Sequence, residues 1–239
     1  MIDTHTHLYL PEFPDGGDGQ VRNAIDAGVT HLVFPNVDRD TISPMLALHN
    51  RFPENTSVAM GLHPTEVKEN WKVVVDDMHK LLVEGGFVAV GEVGMDLYWD
   101  KTYLKEQQIV LDKQVNWALE YDLPIVIHCR DAFDYIYKVL EPYKKTPLRG
   151  IFHSFTGTAE EATRVLEFSD FFIGINGVVT FKKSHLPEIL AGIPLEKIVL
   201  ETDSPYLTPV PNRGKRNESA YVKDTLMLSL IHISEPTRH

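Results

Sequence analysis

Two histidines stand near the start of the chain, in the run Ile2–His7, which reads Ile-Asp-Thr-His-Thr-His. His5 and His7 are separated by one residue, and alternate residues of an extended strand point to the same side. Two imidazoles aimed at one point form half of a chelate for a divalent metal ion. An isolated pair of solvated histidines has the same spacing, so a metal site here needs partners from elsewhere in the chain.

Further metal-binding residue types follow apolar segments later in the chain, namely Glu92, His128, His153 and Asp203. Taken singly, a buried histidine can bond to a carbonyl and a carboxylate can pair with a nearby Arg or Lys. Taken together, four imidazoles and two carboxylates in one place would repel each other or lack partners unless metal ions held them. Six donors exceed the four of a tetrahedral ion. A carboxylate such as Glu92 can bridge two ions, so we expect a binuclear centre with ions about 3.5 to 4 Å apart.

The donor types leave the identity of the two divalent ions open among Mg, Mn and Zn. Imidazoles suit Zn, Fe or Mn better than Mg, while carboxylates keep Mg and Mn in consideration. Two such ions and two carboxylates leave a net charge of roughly +2, which attracts a phosphodiester, activates a bound water and stabilises a departing alkoxide. The same centre could polarise an amide carbonyl.

The segments that position these residues alternate between strand and helix patterns. Near-continuous apolar runs predict eight strands, over 2–7, 30–34, 57–61, 87–92, 123–128, 148–153, 171–175 and 197–201. Helical spacing predicts seven helices, over 20–27, 43–51, 73–84, 103–121, 131–140, 158–168 and 185–191. Strands that are apolar on both faces are typical of parallel sheets covered by helices.

This alternation predicts an α/β fold, a (β/α)8 TIM-type barrel, in which the carboxyl ends of the strands meet at one rim. The alternative is a doubly wound open sheet, but the glycine-rich nucleotide loop that usually follows its first strand is missing from the sequence.

Two of the predicted helices have capping signals at their N-termini. Ser43 is the predicted N-cap of its helix, with Pro44 at the first position. Thr158 and Glu161 form a predicted capping box.

Composition sets further bounds on function. The 239 residues are 43% hydrophobic and carry a formal net charge of -11, so polyanions are repelled by the overall field and a polyanionic substrate must be held locally. The one cysteine, Cys129, excludes an internal disulfide and is expected to be structural. No apolar run is long enough for a membrane span and no signal peptide is evident. We expect a soluble, cytoplasmic protein without membrane contact, and favour a monomer.

Six motifs occur in one order along the chain: Asp3–His7, Gly61–Pro64, Gly91–Asp96, Pro124–Arg130, His153–Gly157 and Glu201–Pro205. Together they resemble the TatD-type metal-dependent deoxyribonucleases of the amidohydrolase-like superfamily, over about residues 1–226. The resemblance implies one metal on His5, His7, Glu92 and Asp203 and a second on Glu92, His128 and His153. It also implies hydrolysis of DNA, typically from the 3′ end, with single strands or 3′ ends as the substrate.

Two acids receive catalytic roles in this interpretation. Glu92 bridges the two ions, whereas Asp203 contacts one ion and can also accept the proton of the attacking water. His63 is expected to support the centre or to contact phosphate. Asp96 is expected to orient a metal-binding imidazole.

Substrate contacts are expected from basic and aromatic residues. Arg213, with Lys215 and Arg216, forms a basic cluster after the Asp203 segment, and a solvated surface loop is its ordinary alternative. The aromatic residues Tyr98, Trp99 and Phe155 could stack on bases, although such residues more often serve packing.

The last segment, residues 227–239, departs from the family pattern, which continues into a final helix. We expect residues 1–226 to form the hydrolase barrel, with its C-terminal helix truncated and followed by a non-native tail. Two other functions stay open. One is an amidohydrolase-type enzyme acting on a small cyclic amide or lactone, and the other is a non-catalytic metal-binding protein.

Overall fold

Eight short strands run parallel and pair in chain order to form one sheet. The structure is a computed structural model and describes residues 1–227. The strands are β1 (Ile2–Asp3), β2 (His31–Pro35), β3 (Thr56–Met60), β4 (Ala89–Asp96), β5 (Ile125–Arg130), β6 (Gly150–Phe152), β7 (Phe171–Ile175) and β8 (Ile198–Leu200). Residues of these strands are mostly apolar and buried, as a sheet covered by helices requires.

Hydrogen bonds between the segments at β1 and β8 close the sheet into a barrel. The backbone N–H of Thr4 donates to the carbonyl of Leu200 over 3.1 Å, and the Thr4 hydroxyl donates to the same oxygen over 3.0 Å. Just beyond, the N–H of Asp203 donates to the carbonyl of His5 over 2.9 Å. The predicted (β/α)8 barrel is therefore confirmed, and the open doubly wound sheet is wrong.

Seven α-helices lie between consecutive strands. They are α1 (Asp18–Asp26), α2 (Ile42–Arg51), α3 (Trp71–Glu84), α4 (Leu104–Glu120), α5 (Phe133–Leu140), α6 (Ala159–Val165) and α7 (Leu186–Leu190). Short 3-10 turns lie at Pro64–Glu66, Glu141–Tyr143, Gly177–Thr180, Leu195–Lys197 and Ser219–Tyr221. Each long helix buries one apolar face against the sheet, as Val110, Leu111 and Val115 of α4 do. No helix within residues 1–227 is long and apolar enough to cross a membrane.

The two predicted helix starts have different outcomes. At α6 the capping box is confirmed, because the Thr158 hydroxyl accepts from the N–H of Glu161 and the Glu161 carboxylate accepts from the N–H of Thr158. At α2 the Ser43 N-cap is wrong, since the helix begins at Ile42. The cause is a turn in which the Thr41 hydroxyl accepts from the N–H of Asp38 over 2.9 Å and the Asp38 carboxylate accepts from the N–H of Thr41 over 2.8 Å. This turn starts the helix earlier than the proline signal indicates.

Two strand boundaries also differ from the prediction. The β1 ladder ends at Asp3, so His5 and His7 lie in the segment that follows it. Strand β4 continues past Glu92 to Asp96, with a register shift between Val90 and Val93, because its second half pairs with β5 through Ile127 to Arg130. Both acids of β4 therefore stand on one strand.

The prediction of a non-native tail over residues 227–239 falls almost entirely outside the described residues, of which Met227 is the last. Residues 222–227 are helical.

Candidate metal centre

Glu92 is buried at the carboxyl end of the barrel, and its Oε2 atom faces the two histidines after β1. This oxygen lies 3.1 Å from Nε2 of His5 and 3.4 Å from Nε2 of His7. The two Nε2 atoms are 3.0 Å apart. Oδ1 of Asp203 lies 3.8 Å from the His5 nitrogen and 3.6 Å from the His7 nitrogen. We call His5, His7 and Asp203 the first group.

The other carboxylate oxygen of Glu92, Oε1, faces three imidazoles from neighbouring strands. It lies 3.0 Å from Nδ1 of His128, 3.0 Å from Nε2 of His153 and 3.3 Å from Nε2 of His63. We call His63, His128 and His153 the second group. Each oxygen of Glu92 thus serves a different set of nitrogen atoms.

The chain ends that carry the first group are joined by a buried carboxylate. Asp3 accepts from the N–H of Thr202 over 2.9 Å, from the Thr202 hydroxyl over 2.6 Å and from the N–H of His5 over 3.3 Å. Burial raises the pKa of Asp3 to about 7, which its hydrogen bonds offset only in part. These bonds fix the segment after β1 beside the segment after β8, so that His5 and Asp203 face each other.

Two glycines give the second group its space. Gly94 has φ +136 and pairs with His128, and a Cβ there would lie 2.0 Å from the His128 carbonyl oxygen. A Cβ on Gly174 would lie 2.5 Å from Oε2 of Glu201 and 3.1 Å from Cα of His153. Any larger residue at either position would displace the strand end that carries an imidazole.

Most of the outer imidazole nitrogens contact a side chain behind the centre. Nδ1 of His7 lies 2.8 Å from the Tyr9 hydroxyl, and Nε2 of His128 lies 3.0 Å from Oδ2 of Asp96. Nδ1 of His153 is 3.3 Å from Oε1 of Glu201, in an ion-pair contact that is not aligned as a hydrogen bond. Such contacts set which nitrogen of a metal-binding histidine is free to bind.

The electrostatics of the buried cluster favour positive charge at its centre. Burial raises the pKa of Glu92, but His153, His63 and His5 lower it by more, so this pKa lies well below its usual range. Burial also raises the pKa of Asp203, but His7, together with His153 and His5, lowers it by more, so this pKa is lowered overall. Both acids are therefore ionised at neutral pH.

The donor set fits divalent cations. Each of three sets, His5–Glu92–His153, His5–His7–Asp203 and His63–Glu92–His128, has its donor atoms within 4.8 Å of one another. The facing Nε2 atoms of His5 and His7 share room for at most one hydrogen, so a lone pair is left pointing into the cluster. Imidazole nitrogen and carboxylate oxygen are ordinary ligands of Zn, Mn and related ions.

Comparison with known proteins decides the family. Residues 2–235 match the family model described as TatD related DNase. The chain belongs to the TatD family. The uncharacterized metal-dependent hydrolase YabD of Bacillus subtilis is 34% identical over 93% of this chain and 87% of its own length. The crystal structure of YjjV, a TatD homologue from Escherichia coli K12, matches with a TM-score of 0.90 and 28% identity, over 99% of this chain and 91% of that one.

A further relative carries a more specific name. It is the 3'-5' ssDNA/RNA exonuclease TatD of Escherichia fergusonii, which is 32% identical over 95% of this chain and 88% of its own length. Since its relatives are named hydrolases, this TatD-family chain is a metal-dependent hydrolase, and the non-catalytic alternative is wrong.

A cavity of about 460 Å³ opens beside His153 in this TatD barrel. Its lining includes the aromatic residues Tyr98, Phe133, Tyr135 and Phe155, together with Arg130 and the acids Asp131, Asp134 and Glu161. The Arg130 guanidinium lies 4.0 Å from the centroid of the Tyr98 ring. Tyr98 is 53% exposed and the adjoining Trp99 is 71% exposed, so both rings are free to meet a ligand.

The predicted residues outside the centre are a buried cysteine and the arginines of an exposed basic cluster. Cys129 lines the same cavity, and burial raises the pKa of its thiol to about 12, in keeping with a structural role. Arg213 is exposed on the surface, and its guanidinium lies 3.8 Å from the centroid of the Phe181 ring. Arg216 lies over Phe13 and donates to the carbonyl of Glu12. Both guanidiniums therefore pack on aromatic rings, and a role of this basic cluster in substrate binding stays a prediction.

Three residues of the site were not assigned a role by sequence reasoning: Tyr9, Arg130 and Glu201. Tyr9 follows His7 by two residues and Arg130 follows His128 by two, so the alternation that singles out the histidines extends to both. Glu201 begins the Glu-Thr-Asp-Ser-Pro motif. Spacing was the available signal for Tyr9 and Arg130, and the motif was the signal for Glu201.

Proposed function

We propose that this TatD-family hydrolase is a phosphodiesterase that cleaves DNA from the 3′ end with two divalent ions. The observation that carries the proposal is Glu92, whose two oxygens are divided between two separate groups of imidazoles. That division matches the need of a two-ion site, in which one carboxylate serves both ions. The printed name of the Escherichia fergusonii relative supports a nucleic-acid substrate.

The residues that would hold the ions follow from the two groups. His5, His7, Glu92 and Asp203 would hold one ion, and Glu92, His128 and His153 the other, with Mg, Mn and Zn as the candidate metals. When bound, such ions lower the pKa of water and neutralise charge on a phosphoryl oxygen. His63, the remaining member of the second group, faces the same oxygen of Glu92 as His128 and His153 do, so it stands where it can contact that ion or the phosphate.

Asp203 is the proposed general base. Its side chain is 15% exposed, whereas that of Glu92 is 3% exposed and has both oxygens engaged. The lowered pKa of Asp203 keeps it ionised at neutral pH, so it is ready to accept a proton from the attacking water. Asp96, through its 3.0 Å contact with Nε2 of His128, is proposed to orient that imidazole.

The cavity beside His153 supports a nucleotide over a small amide or lactone. Aromatic rings stack on bases of any identity, and Arg130 offers a cation for a phosphate in a lining that also carries Asp131, Asp134 and Glu161. A base held against Tyr98 or Phe155 would place its phosphate toward His153 and the rest of the second group.

The direct test uses a single-stranded oligonucleotide labelled at either end, incubated with the full chain and Mg, Mn or Zn. We expect stepwise shortening from the 3′ end and weaker cleavage of a blunt duplex. A parallel panel of cyclic amides and lactones tests the other enzyme class. Turnover of the panel with intact oligonucleotides would replace the nuclease proposal with the amidohydrolase one.

We also propose that the protein works as a monomer in a reducing compartment such as the cytoplasm. The single cysteine supports the compartment, since disulfide formation plays no part in the fold. Light scattering tests the monomer, and a fluorescent fusion tests the location.

A further inference from the structure

The hydroxyl of Tyr9 lies directly behind the first group. Its oxygen is 2.8 Å from Nδ1 of His7, and it also donates to the carbonyl oxygen of Pro35, the last residue of β2. The side chain is 3% exposed, and its ring packs edge-on against Phe34 with centroids 6.1 Å apart. The hydrogen bonds of this phenol therefore run to two protein atoms inside the barrel.

The hydrogen bonds that link His7, Tyr9 and Pro35 determine the tautomer of His7. A phenol carries one hydrogen, and a carbonyl oxygen can only accept. The Tyr9 hydrogen thus goes to Pro35, and the phenol oxygen meets His7 with a lone pair. Nδ1 of His7 must then carry the hydrogen of that contact. In the neutral ring Nε2 is bare, and it points to Oε2 of Glu92 at 3.4 Å and Oδ1 of Asp203 at 3.6 Å.

This support differs from that of the other imidazoles. His128 and His153 contact the carboxylates of Asp96 and Glu201 with their outer nitrogens, and a carboxylate also attracts a charged imidazolium. The Tyr9 phenol is neutral. Its hydroxyl donates to the carbonyl oxygen of Pro35. Pro35 belongs to β2 and pairs with Ala59 of β3. The direction of the His7 ring is thereby tied to the sheet.

We propose that Tyr9 is a positioning residue, which holds His7 as the Nδ1–H tautomer with Nε2 free to bind a divalent cation in the first group. The inference rests on the metal centre of the proposed function, but it does not depend on the substrate. Side chains behind metal-binding histidines commonly have this effect on affinity. Here a tyrosine hydroxyl anchored to a carbonyl provides it.

Zinc titration of the metal-free full chain by calorimetry tests the proposal. Tyr9→Phe keeps the ring that packs on Phe34 and removes only the hydroxyl. We expect two binding events in the wild type, and in the variant one event weakened about 10- to 100-fold with the other unchanged within about twofold. The matched control is Tyr137→Phe on α5, away from the centre, which removes a hydroxyl that donates to Glu167. This control should leave both events unchanged.

A spectroscopic readout separates positioning from a structural role. In zinc-loaded protein labelled with ¹⁵N-histidine, we expect a hydrogen-bonded Nδ1–H signal for His7 that shifts in Tyr9→Phe and stays in place in Tyr137→Phe. A His7 signal with the hydrogen on Nε2, equal weakening of both binding events, or no weakening would overturn the proposal. A wild type that binds zinc in two events yet leaves phosphodiesters intact would count against the proposed function alone, and the role of Tyr9 would stand.

Discussion

The two groups of ligands around Glu92 differ in how closely they are enclosed. In the first group the side chains of His5 and His7 are 0% and 4% exposed, and their surroundings are tied down by buried hydrogen bonds. In the second group the side chains of His63 and His128 are 13% and 18% exposed, whereas that of His153 is 2% exposed. The second group also borders the aromatic cavity, through His153.

This difference in exposure suggests different roles for the first and second groups. The first group comes from the two ends of the barrel, β1 and β8, and its buried imidazoles suit a firmly held ion. The second group comes from β5 and from the segments that follow β3 and β6, and its partly exposed His63 and His128 are on the side proposed to receive a phosphate. Asp203 is the exposed edge of the first group, at 15%, and it can reach a water between the two sides.

The largest effect is expected from Glu92→Ala, because the two oxygens of Glu92 contact both groups. The variant should lose both ions and nearly all activity, since five imidazoles would then face each other with one carboxylate among them. Metal content per chain and kcat are the measurements. Glu84→Ala, at the exposed end of α3, is the control. Full metal content in Glu92→Ala would show that the two groups do not depend on a shared carboxylate.

Asp203→Asn should separate chemistry from metal binding. The asparagine keeps the shape and one oxygen donor but loses the charge and the basicity, so kcat should fall about 10²- to 10⁴-fold while most metal remains. Asp170→Asn, an exposed carboxylate next to the start of β7, should change neither. If Asp203→Asn keeps near-normal kcat at full metal content, another group, such as His63, takes the proton.

The barrel itself was predictable because its signal is local and repeated. Apolar runs such as Ile125 to Ile127 are buried on both faces, and each carries its own strand signal. The ends of β1 and β4 were not predictable in the same way, because they depend on which neighbour each strand pairs with. Glu92 was expected at the end of its strand, but pairing of Val93 with Ile127 extends β4 by four residues, to Asp96.

The cluster of imidazoles and carboxylates was predictable from residue types that follow apolar runs, whereas the side chains behind this cluster were predictable only in part. Asp96 was expected behind a histidine, and the structure brings it to His128. Tyr9 was missed because its second partner, Pro35, lies 26 residues away on another strand. His63 was expected beside the centre, but its closeness to Oε1 of Glu92 depends on how the turn after β3 folds back.

A smaller effect is expected on substrate affinity from the exposed rings. Trp99→Ala removes a ring that is 71% exposed, and stacking of a base on an aromatic ring contributes about 1 to 3 kcal/mol. Because this site is open, KM for a single strand should rise about 5- to 10-fold with kcat nearly unchanged. A small phosphodiester without a base should show no change. An equal loss with both substrates would place the effect in the metal centre instead.

The smallest effect is expected from Arg213→Ala, and it tests which basic residue serves the substrate. The guanidinium of Arg213 lies over Phe181 on the surface, whereas that of Arg130 lies over Tyr98 at the cavity beside His153. An exposed charge away from the reacting phosphate acts mainly through the screened long-range field, so KM should change by less than about twofold at 0.15 M salt. Arg130→Ala should raise KM by more and make it less sensitive to salt, because it removes a cation that can pair with phosphate. If Arg213→Ala has the larger effect, the single strand runs over the basic loop rather than across the aromatic cavity.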